Sequence, residues 1–203
     1  QKGGGPISFV RQFYDLDYPS AVNLLLGGGG VVHPAARERV QKPLKPFTLP
    51  PVNKDARRVF AYLVKCRRIA PEVVSHFVRA GLLYEDAKYH NAVFVGTDEQ
   101  GVPRHAHKRN TNSFGKTFRI NVESGIPQYS FHHLGRDGAL FIFEAPIDMM
   151  SYITLHPDRW QEHSYVACCG TSFLPVEKML DRMPQVEEVF LCLENDVAGH
   201  TAS

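Results

Sequence analysis

The sequence predicts an α/β protein whose last third is a mostly parallel sheet covered on both faces. Three observations lead there. Short, continuously apolar stretches, ALFIFEA (139–145), SYVACCG (164–170) and VEEVFLCLE (186–194), alternate with segments of helical periodicity, PIDMMSYITLHP and SFLPVEKMLDRMP. Strands that lack a polar face and are separated by helices belong to parallel sheets buried on both sides. Ahead of this region, at 138–203, the patterning predicts a smaller α+β part at 55–137, a Pro/Gly-rich linker at 27–54 and a helical segment at 1–26.

Each element has its own signal. Ile7, Val10, Phe13 and Tyr14 recur at helical spacing; Asp17 or Tyr18-Pro19 then opens a second helix with Ala21, Val22, Leu25 and Leu26 inward. Four glycines and then Pro34, Pro43, Pro46, Pro50 and Pro51 suit neither helix nor strand, so a linker is expected, flexible first and stiffer later. Asn53 or Asp55 caps a helix over ARRVFAYLVKCRR, with Val59, Tyr62, Leu63 and Cys66 on its inner face. Pro71 starts another, which Gly81 ends. LLYEDAKY, NAVFVGTDEQGVPRHAHKR and KTFRINV read as strands, with Asp98-Glu99-Gln100-Gly101 as a hairpin turn.

Composition narrows the class. With 203 residues, 43% hydrophobic and 22% charged, the chain suits one large domain or two small ones. No apolar run approaches the ~18 residues of a membrane span and no basic-then-apolar leader is present, so a cytoplasmic protein without membrane contact is expected. The start at Gln1 rather than Met, and the end in AGHTAS without a stop to the last element, suggest a fragment lacking a C-terminal piece. Cys66, Cys168, Cys169 and Cys192 show no C-x-x-C spacing. They read as free thiols, the last three in buried strands, and not as a zinc site. The net charge of +2 is uninformative, but its distribution is not: Pro103–Arg119 carries five Lys/Arg, two His and no acid, whereas VEEVFLCLEND is acidic. Basic surface beside an acidic pocket suits a protein that holds a phosphate backbone and a metal ion together.

Ligands of parallel sheets sit at the carboxyl ends of the strands, where Glu144, Gly170, Glu194 and Asp196 fall. Three carboxylates that converge need a cation to stay ionised, and oxygen ligands favour Mg²⁺ or Mn²⁺. Glu144 and Asp196 would equally serve as caps of following helices; spacing alone leaves both readings open. Arg104, Lys108, Arg109 and Arg119 would hold nucleic acid or nucleotide, or form a solvated strand face. His105 and His107 share one strand face and suit phosphate contact or simple exposure better than metal ligation. Tyr89, Tyr129 and Phe131 are candidates for base stacking or for the core.

The segments FIFEAPIDMMSYITL, SYVACCGTS and EVFLCLENDVAGHTA together resemble a TOPRIM domain, the Rossmann-like metal-binding module of bacterial primases and of type IA and II topoisomerases. The family's Glu matches Glu144, its Gly matches Gly170, and its Asp-x-Asp falls on Glu194-Asn195-Asp196. Asp148 matches its further acidic residue, while Ala145 replaces a Gly. Glu194 in place of Asp sets that carboxylate one methylene farther out, and errors of ~1 Å can cost ~10²-fold in rate. HNAVFVGTDEQGVPRHAHKR and PQYSFHHLG are similar to the part of bacterial primases before TOPRIM, and closer to an uncharacterised primase-like family of bacterial mobile elements. Residues 3–26 resemble the helical tail after a CHC2-type zinc ribbon, whose own zinc ligands are not in this sequence.

The resemblance implies a primase-like nucleotidyltransferase of replication or mobilisation. Its expected partners are a single-stranded DNA template, nucleoside triphosphates and a helicase or relaxase. Glu144 and Asp196 would be catalytic, and Glu144, Glu194 and Asp196 would bind the metal. The alternatives are a TOPRIM nuclease or topoisomerase-like factor, or a DNA-binding module with a degenerate metal site.

Overall fold

The computed structural model describes residues 5–26, 45–112, 117–170 and 172–193, which fall in two compact units, residues 1–44 and 45–203. In the first unit, Pro6 opens helix α1 (Pro6–Tyr14) and the Asp17 carboxylate caps α2 (Tyr18–Leu25) by accepting the Ser20 amide at 2.9 Å. A side-chain acceptor at this position satisfies a helix amide that has no partner within the helix. Val10 and Ala21 are the buried residues of the pair, and Phe9 and Phe13 stack on the exposed side.

The second unit begins on an extended segment. Residues 45–53 lie against the sheet rather than apart from it: Ala87 donates to the Pro51 carbonyl, Asn53 to that of Glu85, and the Tyr84 hydroxyl to that of Pro50, each at 2.8 Å. Phe47 and Leu49 cover Val93, Val95 and Ala106. Helix α3 (Arg57–Phe60) follows. Asp55 takes the Arg57 amide at 3.2 Å, while the buried carboxylate of Glu85 takes those of Arg58 and Val59 at 2.9 and 3.2 Å. A residue distant in sequence thus does most of the capping. Ala61–Cys66 winds as a π turn, and its wider turn carries Cys66 out of phase. Val59, Tyr62 and Leu63 are buried as expected; Cys66 is exposed, correcting its inward placement.

After α4 (Pro71–Arg79) comes an antiparallel meander, β1 (Leu83–Glu85), β2 (Ala92–Thr97), β3 (Pro103–Arg109) and β4 (Arg119–Asn121). The turn at 98–101 is closed by Asp98 accepting the Gln100 and Val102 amides, with Gly101 at φ 77°. The second sheet has the order β5-β7-β6-β8, formed by β5 (His132–His133), β6 (Ala139–Phe143), β7 (Ser164–Ala167) and β8 (Glu188–Cys192). β6 is parallel to both β7 and β8, and β5 is antiparallel to β7. Helix α5 (Pro146–Leu155) joins β6 to β7, and α6 (Leu174–Arg182) joins β7 to β8.

Alternation along β6 and β7 divides the core. Phe141, Phe143, Tyr165 and Ala167 pack with α3, α4 and α5; Leu140, Ile142 and Val166 pack with Val176, Met179 and Met183 of α6 and the segment after it. The first cluster includes Phe94 of β2, so both sheets share one core. Gly96 allows the close approach: a Cβ there would lie 1.8 Å from the Tyr129 carbonyl oxygen and 2.6 Å from the Ser130 backbone. Cys168 and Cys169 are buried just beyond β7, and Cys192, in β8, is half-buried. The fold is therefore α/β, with a mostly parallel sheet preceded by a smaller α+β part and a short helical segment. No helix among the described residues is long and apolar enough to cross a membrane.

Candidate metal and phosphate site

The carboxyl ends of β6 and β7 come together through backbone pairing beyond the strands. Cys168 donates to the Phe143 carbonyl at 2.8 Å and Cys169 to that of Glu144 at 2.9 Å. Cys169 takes a positive φ of 56°, turning the chain into Gly170. Glu144 thus stands between the end of β6 and the first turn of α5, where Asp148 lies.

The antiparallel sheet reaches over these strand ends. Arg119 of β4 pairs with the Glu144 carboxylate at 3.2 Å. Asn121, two residues on, donates to the Cys169 carbonyl at 3.1 Å and accepts His107 Nδ1–H at 2.7 Å. That bond places the His107 proton on Nδ1 and leaves Nε2 as an acceptor while the ring is neutral. Burial, and then the charges of Arg119 and Arg109, hold the ring below its ordinary pKa; the Asn121 bond opposes them. Two adjoining cavities result. One, of about 190 Å³, is lined by Arg67, Arg109, Arg119, His107 and Asp148; the other, of about 400 Å³, by His107, Arg119, Asn121, Glu144 and Gly170. Three guanidinium groups around a small cavity suit bidentate recognition of phosphate oxygens. Cys168, beside Glu144, is held as a thiol, its pKa pushed up to about 11 by burial and then by the carboxylate's charge.

Of the residues singled out in the sequence, Glu144, Asp148, Gly170, Arg109 and Arg119 gather here. Glu194 and Asp196 lie outside the described residues. Among the described residues no group of three His, Cys, Asp or Glu could hold a metal ion. Arg104 is bound to Asp98 at 2.6 Å at the far end of β3. Lys108 lies on the opposite sheet face from His107 and Arg109, because side chains alternate along a strand. His105, on the same face as His107, is buried, and among the described residues neither of its ring nitrogens has a hydrogen-bond partner. His132 donates from Nδ1 to the Ser130 carbonyl and accepts Arg182 at Nε2. Phe131 is core, Tyr129 is half-buried beneath Lys178, and Tyr89 is exposed. Arg67 belongs to a second basic stretch of the sequence, with Arg57, Arg58, Lys65 and Arg68, whereas Asn121 carried no signal there.

Comparison with known proteins agrees with this architecture. Residues 61–137 match the model of a protein family of unknown function, DUF3991, and residues 141–203 match the Toprim-like family. An uncharacterized Bacillus anthracis protein, pXO2-78, is 30% identical over 216 residues, spanning 97% of this chain and 60% of the relative. The primase fragment of the bacteriophage T7 primase-helicase protein superposes with a TM-score of 0.52 at 19% identity, over 68% of this chain and 56% of that one. The zinc-binding and RNA polymerase domains of Aquifex aeolicus primase give 0.46 at 16% identity, over 98% and 59%. The chain therefore spans 60% or less of the length of these relatives. With the fold of the phage primase fragment and both family matches in place, the chain carries a Toprim-like domain at residues 141–203 behind a DUF3991 region at residues 61–137.

Proposed function

We propose that the chain is the nucleic-acid- and metal-handling part of a primase-like nucleotidyltransferase acting in replication or mobilisation of a bacterial mobile element. The observation that carries this reading is the seating of Arg109 and Arg119 from the antiparallel sheet over Glu144 and Asp148 at the strand ends of the Toprim-like domain. In this reading residues 1–26 are the tail of a zinc-ribbon domain, and the linker of 27–54 ends in the segment 45–53 that packs on the sheet. Residues 55–137 hold the nucleic acid and the nucleotide, and 138–203 hold the cation. A helicase or relaxase would deliver the single-stranded template.

The donor set fits a hard divalent cation. Glu144 supplies carboxylate oxygens at a solvent-reachable rim, and Glu194 and Asp196 would complete the set with Mg²⁺ or Mn²⁺. When bound, such a cation neutralises charge that develops on phosphoryl oxygens. The protein's own share is positional. Arg67, Arg109 and Arg119 hold triphosphate or backbone oxygens, and His107 accepts a hydrogen bond at Nε2. Glu144 either binds the cation or moves a proton as general acid or base. Arg119 must exchange its carboxylate partner for a phosphate when the site fills.

A second reading, a DNA-binding module with a degenerate metal site, draws on one observation: the charge of Glu144 is already compensated by Arg119 at 3.2 Å. Calorimetric titration with Mn²⁺ separates the two. Under the catalytic reading the ion binds, Glu144→Ala and Asp196→Ala abolish binding, and Arg119→Ala strengthens it severalfold while weakening nucleotide binding. Template-dependent primer synthesis from ribonucleotides should then follow. Absence of Mn²⁺ binding at millimolar concentration, with DNA binding intact, would sink the catalytic reading. Digestion of DNA without nucleotides would instead indicate a nuclease.

A further inference from the structure

A groove of about 750 Å³ lies on the face of the antiparallel sheet that carries Lys108, walled by residues 45–51 on one side and 120–123 on the other. Lys108 and Ile120 are register partners and stand on this face, whereas the neighbouring pairs His107 with Asn121 and Arg109 with Arg119 stand on the face of the cleft. The groove is thus a separate surface.

Its lining combines apolar surface with an aromatic platform and cations. Tyr89 is 63% exposed and Ile120 53% exposed. The Lys88 ammonium sits 4.8 Å from the centre of the Tyr89 ring. Lys45 and Lys108 also line the groove. The two acids among its described lining residues are occupied. Asp86 is buried and accepts the backbone amides of Lys88, Tyr89 and Asn91, and Glu123 is paired with Lys45 at 3.3 Å. Lys88 and Lys108 have no ion-pair partner among the described residues, so the described lining presents net positive charge beside the exposed Tyr89 ring.

We infer that this groove binds single-stranded nucleic acid, with a base stacked on Tyr89 and backbone phosphates on Lys88 and Lys108. A single strand offers the apolar base faces and regularly spaced anions that such a lining complements, and base–aromatic stacking tolerates any sequence. The choice of nucleic acid rests on the primase-like reading, but the site does not use the metal. A strand held here is gripped on the face opposite the chemistry, which leaves the arginine-lined cleft for the reacting end.

The experiment is fluorescence anisotropy of a short fluorescein-labelled oligothymidylate, without metal or nucleotide, over a range of salt. Tyr89→Ala should weaken binding about tenfold with little change in salt dependence. Lys88→Gln with Lys108→Gln should lower the log–log salt slope by about 1.4, as expected for two lost phosphate contacts to a single strand. Iodouracil placed in the oligonucleotide should photocrosslink to Tyr89. Unchanged affinity and slope in both variants, or crosslinks confined to the cleft, would overturn the assignment and leave the groove to a peptide. Failure of the catalytic reading is seen separately, as lost Mn²⁺ binding with Tyr89-dependent oligonucleotide binding retained.

Discussion

The two sheets of the larger unit use opposite strategies with similar material. In the mostly parallel sheet, β6 and β7 are buried along nearly their whole length, and chemistry is confined to the points where the strands stop. In the antiparallel sheet, β3 carries its charge within the strand, and alternation sends it to two faces: His107 and Arg109 to the cleft, Lys108 to the outer groove. A strand end collects functional groups from neighbours in one place, whereas a strand interior divides them. One core nevertheless serves both sheets. Phe94 of β2 and Phe131 beside β5 meet edge to face at 5.3 Å, and Phe77 of α4 packs on Phe131 at 4.9 Å.

If the sheets are one cooperative body, Phe131→Ala should have the largest effect, about 3–5 kcal/mol of stability, because it leaves a cavity where three elements meet. Urea unfolding followed by the buried Trp160, the sole tryptophan, should stay a single transition; two transitions would mean that the sheets unfold separately. Gly96→Ala should cost about 2–3 kcal/mol, since the new methyl meets backbone that cannot rotate away. An acid limb comes next. Burial lowers the pKa of His105 and of His132 to about 4, below the unfolded value near 6.5. Their contribution is therefore full above pH 6.5 and lost as pH falls towards 4, at up to about 1.4 kcal/mol per pH unit for each. His105→Phe should flatten that limb in unfolding measured across pH 4–7, and an unchanged slope would refute it. The smallest effect is expected at another glycine: among the described residues a Cβ at Gly170 meets nothing within 4 Å, so Gly170→Ala should change stability by no more than ~0.5 kcal/mol in the same assay.

Those two glycines also show what was legible. Gly170 was visible because it belongs to a motif, yet no described residue would crowd a Cβ there; Gly96 carried no motif, yet it sets the separation between β2 and the segment leading into β5. Apolar runs and the place of Glu144 at a strand end could be read because they depend on local pattern. The Asp17 cap and the turn at 98–101 are local in the same sense. Which basic residues converge could not be read, because it depends on pairing register: Arg119 opposite Arg109, Ile120 opposite Lys108. Arg104 was lost to the cleft through a bond to Asp98, six residues away across the turn. The buried carboxylate of Glu85 at the start of α3 comes from a strand 26 residues on from the Val59 amide it caps. No window of sequence contains that contact.

The π turn at Ala61–Cys66 bears on how this chain tolerates changes in length. Such a turn carries one residue more than the α-helix it interrupts, and here Arg67 donates to the Tyr62 carbonyl at 3.0 Å, five residues back. Deleting one exposed residue, such as Lys65, lets the stretch relax to α winding while Arg67 and the buried Ile69 keep their phase. The same deletion inside α4 would rotate every later residue of that helix by about 100°. Among relatives, a one-residue gap in this stretch is therefore a length difference the fold absorbs without turning Arg67 out of the cleft.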